Sequence, residues 1–379
     1  MARKSYVGVD IGTSSIKITQ LEDYRGQPKL TTYGYAHATI DIMRDSSVEL
    51  QNGVAQLIAQ VMQRAGVTTN QCIAALPTFA VFNSIISLPR MSRRDLATAI
   101  KWEAKKFIPL PIDDMILDWK LLDGAEEKMS DIFTSKNLGS LFKKKQNPAD
   151  AQKQAAEDAA KGKEEQKNLR ILLTAAPKTL VGRYVEIFKL AGLKLLSLET
   201  EAFALSRSLL GVAQETVMIV DIGSTATDIC LIEKGVPILN RGLDSGGFNI
   251  TKSISDSLNV NADRAEQFKL DFGIKMQGQQ SAIPDAIKDS LQPIINEIQY
   301  VFELYQNQGS LKVGRILLSG GSAFLPNFPE YLSQLLKIPV YIGNPWDRVI
   351  YPLDLKPVLE SIGPQMAVSI GLAMRNITH

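Results

Sequence analysis

The chain has 379 residues, of which 45% are hydrophobic and 22% charged, and its 42 basic residues nearly balance 40 acidic ones. This is the composition of a folded globular protein of two or three domains, and a net charge of +2 gives no basic footprint for nucleic acid. Two histidines and two cysteines leave no basis for a histidine-based metal site, a Ser-His-Asp triad or a disulfide framework.

Met1 leads almost directly into the first strand, and no apolar run approaches the ~20 residues that a membrane span needs. We therefore predict a cytoplasmic protein. Cys72 and Cys230 both lie in apolar runs typical of strands, so we expect them to be buried, reduced thiols.

The first element is a β-hairpin. An apolar run over 6–9 and an alternating run over 16–18 flank the segment Asp10-Ile11-Gly12-Thr13-Ser14-Ser15. Glycine and small hydroxyl residues are typical of a tight hairpin turn. Such a turn lets the backbone approach an anion with successive N–H groups, and an Asp at the strand end can hold a metal ion, usually through water.

A meander strand at 30–35, a helix with a buried stripe over 54–62 and a buried strand at 72–76 follow, and Gly66 is expected to end the helix. The pattern over residues 80–192 then predicts a small α+β unit. Its predicted elements are strands at 81–88, 116–122 and 169–176, a helix capped by Ser92 that carries Leu96, Ile100 and Phe107 and is broken by Pro109 and Pro111, and a helix at 180–191.

Within this unit, apolar periodicity is lost between residues 123 and 168, where an Ala, Gln, Glu and Lys-rich tract follows three lysines. A segment of this composition cannot bury enough apolar surface to offset the entropy of ordering it. We expect a mobile, solvated insertion, with a basic interaction arm as the alternative.

A second hairpin repeats the pattern of the first. The apolar run 217–220 and the alternating run 229–232 flank Asp221-Ile222-Gly223-Ser224-Thr225-Ala226. Two such hairpins facing each other would clamp the phosphates of a nucleotide from both sides. The expected elements after it are a helix opened by Gly246-Gly247, a helix from Asn261 to Gly273, a long helix over 283–305, a strand over 313–318, a helix over 328–337, a strand at Val340 and a final helix over 365–375.

Three further signatures fall in order with the two hairpins. They are Glu201-Ala202-Phe203-Ala204 at the start of a helix, Leu318-Ser319-Gly320-Gly321-Ser322 at the end of a strand, and the helix 363–373 with Ala367 and Gly371 four residues apart. The ordered set resembles the actin-like ATPase superfamily: phosphate 1, connect 1, phosphate 2, adenosine and connect 2. The resemblance spans nearly the whole chain outside 123–168.

The resemblance implies an α/β fold of two halves, each a twisted sheet flanked by helices, with the nucleotide in the cleft between them and a relocated small α+β subdomain in the first half. The expected divisions are a first-half core at 1–79, the inserted subdomain at 80–192, first-half core with connect 1 at 193–214, second-half core at 215–245, a second-half small subdomain at 246–310, and second-half core with the connect 2 helix at 311–379.

By the same resemblance the cofactors are ATP and magnesium. Asp10 would coordinate magnesium through water, with Asp221 as a further candidate, and Glu201 and Asp221 could orient a water for hydrolysis. The remaining implied cofactor-binding residues are Gly12, Thr13, Ser14, Ser15 and Lys17 at the terminal phosphates, Gly223, Ser224 and Thr225 opposite them, Gly246 and Gly247, Gly320, Gly321 and Ser322 beside the adenosine, and Glu266 with Lys269 at the ribose and base. Ala202 stands where the superfamily usually has proline after this glutamate. We expect at most slow ATPase activity.

The position of the inserted unit resembles the relocated subdomain of the FtsA and PilM branch, and Ser87-Leu88-Pro89, Phe107-Ile108-Pro109-Leu110 and the 201–204 segment are similar to the PilM family of type IV pilus assembly proteins. That family implies a scaffold of the pilus inner-membrane platform, for pilus biogenesis and twitching motility. It would be cytoplasmic and peripheral to the membrane through its partner, the N-terminal cytoplasmic peptide of PilN, which would lie between the first-half core and the 80–192 unit. Other platform proteins, assembly ATPases and a weak homo-oligomer are further implied contacts.

Two alternatives remain open from the sequence. One is an FtsA-like, filament-forming cell-division protein that a partner recruits to the membrane. The other is a small-molecule kinase of the same superfamily, although no aspartate in a motif of that kind stands out as its catalytic base.

Overall fold

In the computed structural model of the protein, the structure describes residues 4–40, 46–122, 168–211, 215–274, 282–307 and 312–378. The expected mobile insertion at 123–168 lies outside the described residues except for Asn168. The chain divides into two compact units, residues 1–81 with 179–379, and residues 82–178.

The strands, in chain order, are β1 Ser5–Ile11, β2 Ser15–Tyr24, β3 Gln27–His37, β4 Gln71–Leu76, β5 Phe82–Leu88, β6 Met115–Leu121, β7 Leu169–Pro177, β8 Lys194–Thr200, β9 Val217–Ile222, β10 Thr227–Glu233, β11 Val236–Leu243, β12 Arg315–Ser319 and β13 Val340–Ile342. The helices are α1 Val48–Arg64, α2 Arg93–Ala104, α3 Lys178–Leu190, α4 Glu201–Leu209, α5 Gly247–Leu258, α6 Ala262–Phe272, α7 Ala282–Gln306, α8 Phe328–Leu336 and α9 Lys356–Met374. Among the described helices, none is both long and apolar enough to cross a bilayer.

The larger unit contains the same sheet twice. Its strand orders are β3-β2-β1-β4-β8 and β11-β10-β9-β12-β13. In each sheet the first three strands form an antiparallel meander, and the fourth pairs parallel to the first strand of that meander. The repeated signature at residues 10–15 and 221–226 is therefore the turn between the first two strands of each sheet, as the sequence predicted.

The period-two alternation of β9 divides its side chains between two cores. Val217 and Ile219 join a cluster with residues of the first sheet and with α4 and α9. Met218 and Val220 face the other way, into a cluster with α5, α6, α7 and α8. Because both faces of this strand are buried, its sequence is a continuous apolar run rather than a polar–apolar alternation.

Helices α4 and α9 pack against each other in the first of these cores. A Cβ added to Gly371 of α9 would lie 1.9 Å from the carbonyl oxygen of Ala204 of α4, and one added to Gly8 of β1 would lie 2.0 Å from the carbonyl oxygen of Ser369. Only residues without a side chain permit these backbone contacts. Small residues therefore let α4 and α9 approach closely.

The smaller unit, residues 82–178, is a three-stranded antiparallel sheet in the order β5-β7-β6 with α2 packed on it. The stripe Leu96, Ile100 and Ala104 of α2 is buried against the sheet. Ser92 caps α2 by accepting a hydrogen bond from the Asp95 N–H at 3.3 Å, as expected. The unit ends at Lys178 rather than at residue 192, because most of α3 and all of β8 belong to the larger unit.

Two sequence predictions about helices are wrong in detail. Phe107 does not lie on α2, which ends at Ala104; it lies in the following turn and is half exposed, and Ile108 takes the buried position instead. The final helix begins at Lys356 rather than at Gln365 and continues through Pro364. The proline removes the donor to the Glu360 carbonyl, and this is tolerated because Glu360 lies at an exposed position of the helix.

The other helix and strand predictions agree with the structure within a few residues. Asn261 caps α6 and Gly273 ends it, and α7 spans the expected long helix. Cys72 and Cys230 are buried free thiols.

We predict that Gly371→Ala lowers the free energy of unfolding by about 1–3 kcal/mol, because the new Cβ forces α9 away from Ala204. The matched control is Gly53→Ala on the exposed side of α1, where a Cβ meets nothing within 4 Å. That control should be neutral or stabilising by up to about 1 kcal/mol. The check is the midpoint of thermal unfolding, and an unchanged midpoint in Gly371→Ala would contradict the prediction.

Candidate functional site

The tips of the two repeated hairpins face each other. Each turn is closed by the same hydrogen bond, from the Gly12 N–H to the Ser15 carbonyl at 3.0 Å and from the Gly223 N–H to the Ala226 carbonyl at 2.9 Å. The hydroxyl oxygens of Thr13 and Thr225 lie 2.7 Å apart. The two turns thus present their hydroxyl groups to the same space.

The first residues of α5 donate backbone hydrogen bonds to the second turn. The Gly247 N–H donates to the Gly223 carbonyl at 2.9 Å, and the Phe248 N–H donates to the Ser224 carbonyl at 2.8 Å. A Cβ on Gly246 would lie 2.6 Å from both of those carbonyl oxygens. Glycine at 246 is therefore required by the close approach of two backbones.

A second group of predicted residues gathers beside Gly247. A Cβ on Gly247 would lie 2.6 Å from the Ser322 hydroxyl oxygen. The buried Lys269 ammonium donates to the Gly247 carbonyl at 3.3 Å, to the Thr251 hydroxyl at 3.1 Å and to Glu266 Oε2 at 2.7 Å. The spacing of three residues predicted that Glu266 and Lys269 lie on one face of the helix, and they form an ion pair there. Lys269 is buried and fixed, whereas Glu266 remains half exposed to solvent.

Gly320 connects the second hairpin to α9. It has a positive φ of 82°, and its N–H donates to the Pro364 carbonyl at 3.1 Å, where the Ser319 hydroxyl also donates at 3.0 Å. A Cβ here would lie 2.9 Å from Asp221 Oδ1. Gly321, by contrast, is exposed with open space around it. The double glycine therefore borders the aspartate on one side and an open face on the other.

Asp10 and Lys17 are directly opposite each other across the first hairpin. The Lys17 ammonium donates to Asp10 Oδ2 at 3.0 Å. Burial disfavours a charged Lys17, but the carboxylates of Asp10, Asp221 and Glu201 outweigh burial and raise its pKa. Lys17 is therefore a fixed positive charge near the predicted phosphate-binding turns.

Sequence reasoning missed Asp228 and Thr78. Asp228 is hydrogen-bonded to Glu201, whose Oε2 also accepts from the Thr78 N–H at 3.3 Å and the Thr78 hydroxyl at 3.2 Å. Asp228 is opposite Asp221 across the second hairpin, as Lys17 is opposite Asp10 across the first. Comparing the seventh residue after each hairpin aspartate would have located Asp228 from the sequence.

The carboxyl groups of Asp10, Asp221, Glu201 and Asp228 lie close together, and we call the space they line the acidic cleft. Burial, the neighbouring Asp228 charge and Asp10 raise the pKa of Glu201, and burial raises the pKa of Asp228 to about 7 and that of Asp221 to about 6. Asp228 Oδ1 is buried and has no hydrogen-bond partner among the residues that the structure describes. A proton shared within the Glu201–Asp228 pair compensates part of this cost, with Glu201 as the donor.

The donor set suits a cation held at a distance. Asp10 and Asp221 supply hard oxygen ligands, which magnesium prefers. Within the described part of the chain, no group of three histidine, cysteine or acidic side chains is close enough to bind a metal directly. The residues therefore fit a hydrated magnesium ion better than a fully protein-liganded one.

The fold and the paired hairpins define an actin-like ATPase fold. This chain is similar to MreB 5 of Spiroplasma citri bound to AMPPNP, with a TM-score of 0.50 and 12% identity. The similarity covers 97% of this chain and 94% of that chain. It is similar over 100% of both chains to a structure described as the PilM-PilN type IV pilus biogenesis complex, with a TM-score of 0.79 and 23% identity.

The family model described as "Type IV pilus assembly protein PilM" matches residues 8–135 and 157–377, and the chain belongs to that family. A curated relative, the cell division protein FtsA of Staphylococcus epidermidis, is 23% identical over 216 residues. That match covers 51% of this chain and 46% of FtsA, so the chain spans less than half of that relative.

We predict that stability of the nucleotide-free protein falls as pH rises from about 4, where free carboxyl groups titrate, to about 7, the raised pKa of Asp228. In this window the folded protein keeps protons that the unfolded chain releases, so rising pH favours unfolding. Asp228→Asn removes one of these groups and should make the decline shallower, by at least about 1 kcal/mol between pH 5 and pH 8.

Asp256→Asn is the matched control, because Asp256 is exposed on α5. It should keep the wild-type dependence of the thermal midpoint on pH. Identical pH slopes for wild type and Asp228→Asn would refute the shared-proton arrangement.

Proposed function

We propose that this protein is an ATP-binding, actin-like scaffold of the type IV pilus inner-membrane platform that binds the N-terminal cytoplasmic tail of PilN. The observation that carries the nucleotide part is the pair of facing turns with Thr13 and Thr225 in hydroxyl contact beside Asp10, Lys17 and Asp221. Membership of the PilM family carries the pilus part.

The two turns would hold the terminal phosphates. Gly12 and Gly223 allow the backbone to come close to an anion, and Thr13, Ser14, Ser15, Ser224 and Thr225 offer hydroxyl groups. Thr13 and Thr225 would exchange their mutual hydrogen bond for bonds to phosphate oxygens. The acidic cleft would repel phosphate alone, so binding requires Lys17 and a magnesium ion anchored through water by Asp10 and Asp221.

The adenosine would lie in the second half. Gly321 leaves open space there, while Lys269 fixes Glu266 by a 2.7 Å ion pair so that this carboxylate can accept a hydrogen bond from a ribose hydroxyl. Gly247 and Ser322 complete the same region.

We propose that this protein hydrolyses ATP slowly. Glu201 could orient a water, but burial and the neighbouring carboxylates raise its pKa, and Thr78 holds its Oε2. A raised pKa lowers the ionised fraction of this carboxyl group, and only the ionised form can accept a proton as a general base. ATP would serve as a structural or switching ligand.

The PilN tail is proposed as the partner because a structure described as a PilM-PilN complex is similar to this chain over its whole length. An extended tail can be held by main-chain hydrogen bonds with apolar side chains in pockets. Membrane association would then depend on that partner.

The FtsA-like alternative rests on matches such as that to Streptococcus pneumoniae FtsA, 21% identical over 91% of this chain and 77% of that protein. The match to the PilM family model favours the pilus scaffold. ATP-dependent filaments that sediment with the purified protein would favour the alternative.

We predict that Asp10→Asn weakens binding of magnesium-ATP by at least about tenfold, because an amide cannot anchor the hydrated cation as a carboxylate does. Calorimetric titration is the measurement. Asp23→Asn is the control, since Asp23 lies at the far end of the first hairpin, where it accepts from the Gly26 N–H at 2.7 Å. Equal affinities of wild type and Asp10→Asn would argue against the assignment of Asp10.

We predict that a synthetic peptide of the PilN N-terminal tail from the same organism binds this protein, and binds more tightly with saturating magnesium-ATP. Coupling of this kind is reciprocal, so ATP should also bind more tightly with peptide present, by the same factor. A scrambled peptide is the control. Absence of binding in both nucleotide states would rule out the proposed partner.

A further inference from the structure

The smaller unit exposes a cluster of large apolar side chains in a short stretch of sequence. The exposed fractions are 66% for Trp102, 52% for Phe107 and 43% for Leu110. Three lysines, Lys101, Lys105 and Lys106, lie in the same stretch. We call these six residues the α2 patch.

The exposure follows from how α2 is packed. Leu96, Ile100 and Ala104 form its buried stripe, and Trp102, two residues beyond Ile100, points to the opposite side of the helix. After the helix, Ile108 is buried, whereas its neighbour Phe107 is left outside. The core of the unit is therefore complete without the apolar members of the patch.

One lysine contacts the exposed tryptophan, and the other two are paired with acidic side chains. The Lys105 ammonium stacks over the Trp102 ring at 4.3 Å from its centroid. Lys106 pairs with Glu103 at 2.8 Å and Lys101 with Asp113 at 3.6 Å. Both lysines of these pairs are more than half exposed, so the pairs are weak, but their carboxylates offset two of the three lysine charges and the net positive charge of the patch is that of Lys105.

We propose that the α2 patch contacts the headgroup region of a membrane that contains anionic lipids. Tryptophan favours this region because its ring is apolar and its N–H polar, and lysine stems lie along apolar surface while their charges reach lipid phosphates. Lysine is depleted at the cores of protein–protein interfaces, so an exposed tryptophan with a lysine stacked on its ring fits a lipid headgroup better than a second protein.

This contact deepens the proposed function, and it rests on that function for the presence of a membrane nearby. Three partly exposed apolar side chains and three lysines give weak, reversible binding, and stable attachment requires a second signal. The PilN tail supplies that signal in the proposed assembly. Lipid contact would then increase the effective affinity of the assembly without being sufficient alone.

The experiment is vesicle sedimentation with the purified full-length protein in the absence of PilN. Vesicles contain either phosphatidylcholine alone or phosphatidylcholine with about one third phosphatidylglycerol, at low and at physiological salt. The variants are Trp102→Ala/Phe107→Ala and Lys105→Glu/Lys106→Glu. The controls are Tyr341→Ala/Leu353→Ala and Lys189→Glu/Lys356→Glu, which alter exposed residues of the larger unit by the same kinds of change.

Wild type and both controls should bind the anionic vesicles at low salt and bind neutral vesicles poorly. Because a lysine near an anionic surface contributes about fivefold, Lys105→Glu/Lys106→Glu should lose at least about 30-fold in affinity. Trp102→Ala/Phe107→Ala should also lose binding while keeping the wild-type thermal midpoint.

A direct readout is quenching of tryptophan fluorescence by brominated lipid. The chain has three tryptophans: Trp346 is buried, Trp119 packs partly buried against the core of the smaller unit, and Trp102 is 66% exposed. Quenching in wild type should therefore disappear in Trp102→Phe.

Equal binding of wild type and patch variants would overturn the proposal, as would quenching that persists in Trp102→Phe or absence of vesicle binding at low salt. Loss of PilN-peptide binding in the patch variants, without vesicle binding by wild type, would assign the patch to a protein partner instead. The peptide and nucleotide titrations that test the proposed function use the wild-type protein, so their results are independent of these outcomes.

Discussion

The structure of the larger unit depends on the contact between α4 and α9. These helices lie in the core that residues of both sheets share, and their backbones meet where Gly371 faces Ala204. Buried polar groups reinforce the contact. Arg207 of α4 pairs with the buried Glu199 at 2.8 Å and also donates to the Gly371 carbonyl. Any residue larger than glycine at 371 would separate the helices and, with them, the two sheets that carry the facing turns.

The acidic cleft is the second feature that other properties depend on. Burial and the neighbouring carboxylates, Asp10 among them, raise the pKa of Asp221, Glu201 and Asp228, and Lys17 opposes this shift at Asp221. Proteins place such costly groups where a ligand or cation will compensate them. In the proposed function, the magnesium ion that accompanies the nucleotide would supply the positive charge that the cleft lacks, and the raised pKa of Glu201 and Asp228 would limit hydrolysis.

Several features of the fold follow from local sequence. The tight turns at residues 12–14 and 223–226 follow from glycine with small hydroxyl residues between apolar runs, and α6 follows from its Asn261 cap and Gly273 stop. Local patterns were less informative where two rules competed. The final helix was expected over 365–375, yet α9 begins at Lys356 and continues through Pro364, because burial of the residues on both sides of the proline outweighs one lost hydrogen bond.

The sequence by itself determined the repeated hairpins, the order of the five signatures and most residues of the candidate site, since each depends on neighbours within a few positions. Tertiary structure alone decided which of them meet. The contact of Thr13 with Thr225 joins residues 212 positions apart, and the pairing of Glu201 with Asp228 depends on how α4 sits against the second sheet. Exposure of Trp102 was also decided there, because the helical pattern of α2 allows several apolar stripes and only packing on the β5-β7-β6 sheet selects the one that is buried.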